Sequence, residues 1–191
     1  PAMNEPTAHA DSSDDLMTRV ALHGLAPLRL AGHHLLPIVQ GGMGVGVSAH
    51  RLAGSVAALG GVGTISSVDL RRHHPDLMAR THGLDMGDTT AARKIIDDAN
   101  LEAIEREVVA TRERAGGRGL IAINVMRAVS LYAATVKRAL EAGVDAVVVA
   151  SVTKDHPWIY QAALAQRKHI YTEKVLTIGL KDADEIVAAV Q

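Results

Sequence analysis

The sequence predicts an α/β fold made of parallel βα repeats, with about five strands in one sheet. Short apolar runs alternate with longer stretches of helical periodicity, which is the pattern of repeated βα units. Phe is absent and aromatic residues make up 2% of the chain, so the core must be aliphatic, as buried parallel strands are. Hydrophobic residues account for 48% and charged residues for 21%, values typical of a globular protein.

The chain begins with a polar segment. Residues 1–15 contain Pro, Asn, Ser and Asp and almost no bulky apolar side chain, so they are predicted to be a flexible tail. Residues 16–30 have a mixed apolar pattern that predicts a short helix and a lead-in to the first strand. We therefore expect a single α/β domain over residues 16–191.

The most informative stretch comes next. An apolar run at residues 35–40 is followed by a glycine-rich turn at 41–46, a helical pattern at 48–59 and a second apolar run at 62–65. Strand, loop, helix and strand in this order predict one right-handed βαβ unit. Such a loop presents backbone N–H groups near a helix N-terminus, which favours a bound phosphate or an electron-rich ring.

The glycine-rich turn also matches a dinucleotide-binding fingerprint. Gly44, Gly46 and Ala49 fit the pattern G-x-G-x-x-[G/A], and Asp69 follows roughly 20 residues later, where the ribose partner is expected. The alternative interpretation is that the glycines only form a tight turn.

The remaining chain continues the alternation. Pro75 interrupts the polar segment after the second strand, and interspersed charges in the long helical pattern that follows indicate a solvated face, with Asn100 as a cap or break. The further strands are predicted at residues 119–126, 144–150 and 169–173, and the further helices at 89–114, 130–143, 156–167 and 180–191.

Residues 16–149 resemble a known family. The segment PIVQGGMGVGVSAHRLAGSVAALGGVGTIS, together with IAINVM further on, is similar to the first half of the nitronate monooxygenase (2-nitropropane dioxygenase-like) flavoproteins, which are FMN-dependent (βα)8 barrels. The resemblance implies an FMN-binding oxidoreductase. It implies that the backbone of Gly41, Gly42, Met43 and Gly44 lies against the flavin and that Asn124 hydrogen-bonds to it.

Residues 145–191 resemble a second family. DAVVVASVTKDHPWIYQAALAQRKHIYTEKVLTIGLKDADEIVAAV is similar to part of the NAD(P)-binding Rossmann domain of the glucose–fructose oxidoreductase/inositol dehydrogenase family, although Val152 and Val175 replace prolines usual there. The resemblance implies that Lys174 is a catalytic residue that polarises a substrate oxygen or orients nicotinamide. His156 is the second catalytic candidate.

The two resemblances meet at the strand predicted over residues 144–150. They predict a chimera, flavoprotein-like over residues 16–149 and dehydrogenase-like over 150–191. A complete (βα)8 barrel usually needs about 250 residues, so the expected fold is an incomplete TIM-barrel-like arc. The alternative fold is an open doubly wound sheet of the Rossmann or flavodoxin kind. The alternative functions are a catalytically inactive structural hybrid and an NAD(P)-dependent oxidoreductase remnant.

Composition and net charge restrict the kinds of molecule that the chain is expected to bind. A net charge of −1 gives no electrostatic case for nucleic acid, and no apolar run reaches the roughly 18 residues of a membrane helix. Cysteine is absent, which excludes thiol catalysis, and adjacent histidines on a strand face opposite ways, which argues against a metal at the pairs His33-His34 and His73-His74. We expect a cytoplasmic protein with a small-molecule substrate. Nearly uncharged strand edges predict a homo-oligomer.

Overall fold

The computed structural model describes residues 13–85, 89–126, 131–149, 156–172 and 179–190. The helices are α1 (Ser13–Leu22), α2 (His50–Ala58), α3 (Pro75–Thr81), α4 (Thr90–Ala115), α5 (Tyr132–Ala142), α6 (His156–Ala165) and α7 (Leu180–Val190). The strands are β1 (Leu28–Leu30), β2 (His33–Leu35), β3 (Val62–Ser66), β4 (Leu120–Asn124), β5 (Ala146–Val149) and β6 (His169–Thr172), and a 3-10 turn (Leu70–His73) precedes α3.

The main sheet is parallel and has four strands in the order β3-β4-β5-β6, while β1 and β2 form a separate antiparallel hairpin. The prediction of a parallel α/β sheet is confirmed. The described strands form an open sheet and no closed barrel. In a doubly wound sheet, the alternative prediction, the spatial order of the strands reverses relative to the chain; no such reversal occurs among the described strands.

The first predicted strand, residues 35–40, is mostly absent. Leu35 belongs to the hairpin, and Val39 makes a single parallel bridge with Val62. Pro37 lies between these two parts and has no N–H to donate to a ladder. The expected count of five strands is therefore observed as four strands with a bridged segment beside β3.

The helices that connect the strands cover one face of the sheet. Parallel crossovers are right-handed, so strands that follow one another in chain order place their connecting helices on the same side. Ile65, Ile123 and Val147 pack there against apolar side chains of α2, α4, α5 and α6. The opposite face carries Val62 and Ala122 and packs on Leu35 and its neighbours in the hairpin.

Helix α4 is continuous over 26 residues. Its N-cap residue Thr89 accepts a hydrogen bond from the Ala92 N–H at 3.0 Å, and it ends at Gly116 in the left-handed conformation. Asn100 lies within α4 and does not interrupt it. The boundaries agree closely with the predicted range 89–114.

Helix α2 lies unusually close to the strands. A Cβ atom on Gly63 would be 1.9 Å from the carbonyl oxygen of Ala53, and one on Gly119 would be 2.5 Å from that of Ala57. Both alanines are completely buried. The backbone of α2 therefore packs directly on β3 and on the residue that precedes β4, an approach only glycine permits.

This contact predicts the effect of one methyl group. Gly63→Ala should lower the free energy of unfolding by about 3 kcal/mol or more, because backbone rather than a movable side chain meets the added atom. Gly41→Ala is the control, since nothing lies within 4 Å of its added Cβ. Denaturant unfolding of both variants is the measurement, and equal stabilities would show that α2 is not held at this distance.

Candidate functional site

The carboxyl ends of β3 and β4 meet the glycine-rich loop. Gly42 lies against Asn124, because a Cβ atom on Gly42 would be 2.7 Å from the Cβ of Asn124. Ser66 pairs in register with Asn124, and a Cβ on Gly44 would lie 3.5 Å from the Ser66 Oγ. The structure thus brings together Gly42, Gly44 and Asn124, three of the residues proposed from sequence for cofactor binding.

Two side chains hold the loop in shape. Gln40 accepts a hydrogen bond from the Thr64 N–H at 3.0 Å and donates through Nε2 to the Ser48 Oγ at 2.8 Å. The Ser48 Oγ accepts from the Met43 N–H at 2.9 Å and donates to the Gly41 carbonyl oxygen at 3.2 Å. Sequence reasoning missed these positioning roles, although a glutamine at the end of an apolar run was a signal.

The edge around the loop combines apolar and polar groups. Met43, Val45, Val47 and Met126 are about half exposed there. Thr64 Oγ1 and Ser67 Oγ are buried and make no hydrogen bond within the described parts of the chain. Such unpartnered hydroxyls are uncommon in folded proteins, and a bound ligand or water would satisfy them.

The N-terminus of α2 does not fit the fingerprint. The backbone N–H of His50 donates to Glu107 Oε2 at 2.7 Å, and the His50 Nδ1 lies 2.9 Å from the same oxygen. Glu107 has no exposed surface in its side chain. A carboxylate of the chain therefore already accepts the first backbone N–H of α2, one of the donors that the fingerprint needs for a diphosphate.

Asp69, the expected ribose partner, is also engaged. Its carboxylate is paired with Arg71 and lies 3.2 Å from the Nε of Arg72. Together with Glu107, this pairing means that the segment from Gly44 to Asp69 does not fit a dinucleotide in the way that the fingerprint requires.

Of the two catalytic candidates, His156 belongs to the part of the chain that the structure describes. His156 is 1% exposed, and its Nδ1 lies 3.1 Å from the hydroxyl of Tyr160, which is 2.7 Å from the Thr172 Oγ1. Burial raises the pKa of the Tyr160 hydroxyl, so this side chain stays protonated at neutral pH. Lys174 lies outside the described residues, and its role stays a prediction.

A histidine beside Glu107 has a shifted pKa. Burial lowers the pKa of His74 from its ordinary value of 6.5, the neighbouring Glu107 and Asp76 oppose this effect, and Arg106 and His73 reinforce it. His74 Nε2 lies 3.2 Å from Glu107 Oε1, but the two atoms are not aligned as a hydrogen bond. The folded state therefore favours neutral His74.

Two further properties concern the described residues alone. They contain no group of three or more His, Asp or Glu side chains arranged to hold a metal ion. Their helices also lack the combination of length and apolar composition that a membrane span needs.

The fold and this edge define a class of protein. Open parallel α/β sheets bind their ligands at the carboxyl ends of the strands, where the glycine-rich loop and Asn124 lie. A family model described as "Oxidoreductase family, NAD-binding Rossmann fold" matches residues 58–191, well over half of the chain. The chain belongs to this family. No curated protein matches it significantly.

The match bears on both resemblances. It supports the dehydrogenase-like one and extends it from residue 145 back to residue 58, into the part that looked flavoprotein-like. The comparison gives no support to the nitronate monooxygenase resemblance, to FMN or to a chimera. It favours the alternative of a nicotinamide-dependent oxidoreductase instead. The glycine-rich loop at 41–46 precedes the matched residues, so the match does not include it.

The lowered pKa of His74 predicts a dependence of stability on pH. Unfolded His74 takes up a proton near pH 6.5, and the folded chain does so only at lower pH. The contribution of His74 to stability is therefore complete above pH 6.5 and is lost as the pH falls through the folded-state pKa.

Denaturant unfolding between pH 7.5 and pH 5 measures this effect. The difference in stability between the native chain and His74→Gln should shrink as the pH falls. The exposed His82, replaced in His82→Gln, is the control and should leave the pH profile unchanged. A difference for His74→Gln that stays constant with pH would contradict the account.

Proposed function

We propose that the chain is the nucleotide-binding part of an oxidoreductase that uses NAD or NADP. The family match over residues 58–191 carries this proposal. A nicotinamide cofactor supplies a hydride acceptor or donor, so the substrate class is a small alcohol, carbonyl compound or related molecule. The proposal requires a binding place on the chain that the fingerprint residues do not provide.

The carboxyl edge of β3 and β4 is the place we propose for the cofactor. Its backbone at Gly42, the amide of Asn124 and the hydroxyl of Ser66 are polar groups in one small region. Thr64 and Ser67 add buried hydroxyls without partners among the described residues. The exposed side chains of the loop supply apolar surface for a flat ring.

The second candidate is FMN binding at the same edge. Two observations favour it: Gly42 and Asn124, which the flavoprotein resemblance places against one flavin, lie side by side, and the strands of the sheet follow chain order. An incomplete barrel arc is the fold that this candidate implies. The family match weighs against it, so we rank it second.

The action of Lys174 on a substrate oxygen, the homo-oligomer and the single domain over residues 16–191 stay predictions.

Cofactor titration tests the proposal. NADH and NADPH fluorescence should change saturably when the purified chain is added, and Asn124→Ala should raise the Kd about tenfold, as expected for one lost hydrogen bond of about 1.4 kcal/mol. Gly42→Val should weaken binding further, because its side chain would push the loop away from Asn124.

The control is Gln161→Ala, since Gln161 is exposed on α6; its Kd should equal that of the native chain. Flavin absorbance in the purified protein, with no response to either nicotinamide cofactor, would replace the proposal by the second candidate. Absence of both signals would leave the inactive structural hybrid.

A further inference from the structure

A buried carboxylate lies at the N-terminus of α2, the helix that follows the glycine-rich loop. Glu107 lies in the second half of α4, and its side chain is completely inaccessible to solvent. It accepts a hydrogen bond from the His50 N–H at 2.7 Å, and its two oxygens lie 2.9 and 3.1 Å from the His50 Nδ1. Residues 50 and 107 are far apart in sequence, so the fold itself creates this contact.

Charged and titratable groups from three segments surround this carboxylate. His50 comes from the first turn of α2, and His74 from the residue before α3 places its Nε2 3.2 Å from Glu107 Oε1. His73 lies beside Gly46 of the loop, and its ring centroid is 6.4 Å from that of His50. Arg106, next to Glu107 on α4, is directed to Asp76 at 2.8 Å.

This arrangement has the chemistry of an anion site. A buried carboxylate is costly unless donors and positive potential compensate for lost hydration. The backbone N–H at the start of a helix, the positive end of the helix dipole and an imidazole N–H supply both. These are the same groups that hold a phosphate at the start of a helix.

We propose that Glu107 is an internal occupant of the anion position at the N-terminus of α2. The carboxylate fastens the first turn of α2, and with it the glycine-rich loop, in the absence of any ligand. A phosphate or diphosphate is excluded from this position by charge and by volume. The inference stands whether or not the chain binds a nicotinamide cofactor at the carboxyl edge.

Removal of the carboxylate should uncover the site. In Glu107→Ala the side chain beyond Cβ is lost, while the donors of His50 remain. Small anions such as formate or acetate then have a cavity of matching size and charge, so they should restore stability. The control is Glu113→Ala, because Glu113 is an exposed glutamate on the same helix.

Thermal unfolding in sodium formate, acetate or phosphate, with sodium chloride at equal ionic strength as reference, is the first measurement. Glu107→Ala should have a lowered Tm that rises saturably with formate or acetate. The native chain and Glu113→Ala should show no such rise. An equal response of all three proteins, or no response of a folded Glu107→Ala, would overturn the proposal.

A second measurement uses the native chain and covers the case in which Glu107→Ala does not fold. Inorganic phosphate and pyrophosphate are added to 15N-labelled protein, and the amide resonance of His50 is followed. Its position should stay constant, because Glu107 already accepts from that N–H. A saturable shift at His50 would mean that external anions reach the helix N-terminus, and the proposal would be wrong.

Discussion

The close approach of α2 to the sheet fixes the position of the glycine-rich loop and of the first turn of α2. Gly63 and Gly119 leave no side chain between this helix and the strands, so its backbone rests on them directly. The glycine-rich loop runs straight into α2, and the position of the helix therefore sets that of the loop. The same contact presents the first turn of α2 to α4, where Glu107 receives the His50 N–H.

The order of the strands explains why a loop forms the edge at the carboxyl ends of β3 and β4. Ligand sites in doubly wound sheets lie at the point where strand order reverses, and the four described strands of the main sheet follow chain order without reversal. A crevice at this edge must therefore come from a loop. Here the loop is shaped by Gln40 and Ser48 and rests against Asn124. Membership in an NAD-binding family is thus combined with a loop outside the matched residues, which forms the edge proposed for the cofactor.

Sequence patterns predicted the secondary-structure elements that depend on local periodicity. The parallel strands and the extent of α4 followed from apolar runs and helical spacing. The direct contact between Gly42 and Asn124 was not predicted; the flavoprotein resemblance implied only that each residue lies against a flavin. The solvated face assigned to α4 was wrong at Glu107, because its burial depends on a contact 57 residues away that leaves no local signal. The fingerprint failed for the same reason, since a motif specifies a loop and not the side chain that fills it.

We propose that ligand meets the carboxyl edge of β3 and β4 and not the N-terminus of α2. Backbone amide resonances of the 15N-labelled chain, followed during addition of NADH, test it most directly. Binding at this edge should produce saturable shifts at Gly41, Gly42, Ser67 and Asn124, with little change at His50. Shifts concentrated at His50 and the first turn of α2, with Asn124 unaffected, would contradict it.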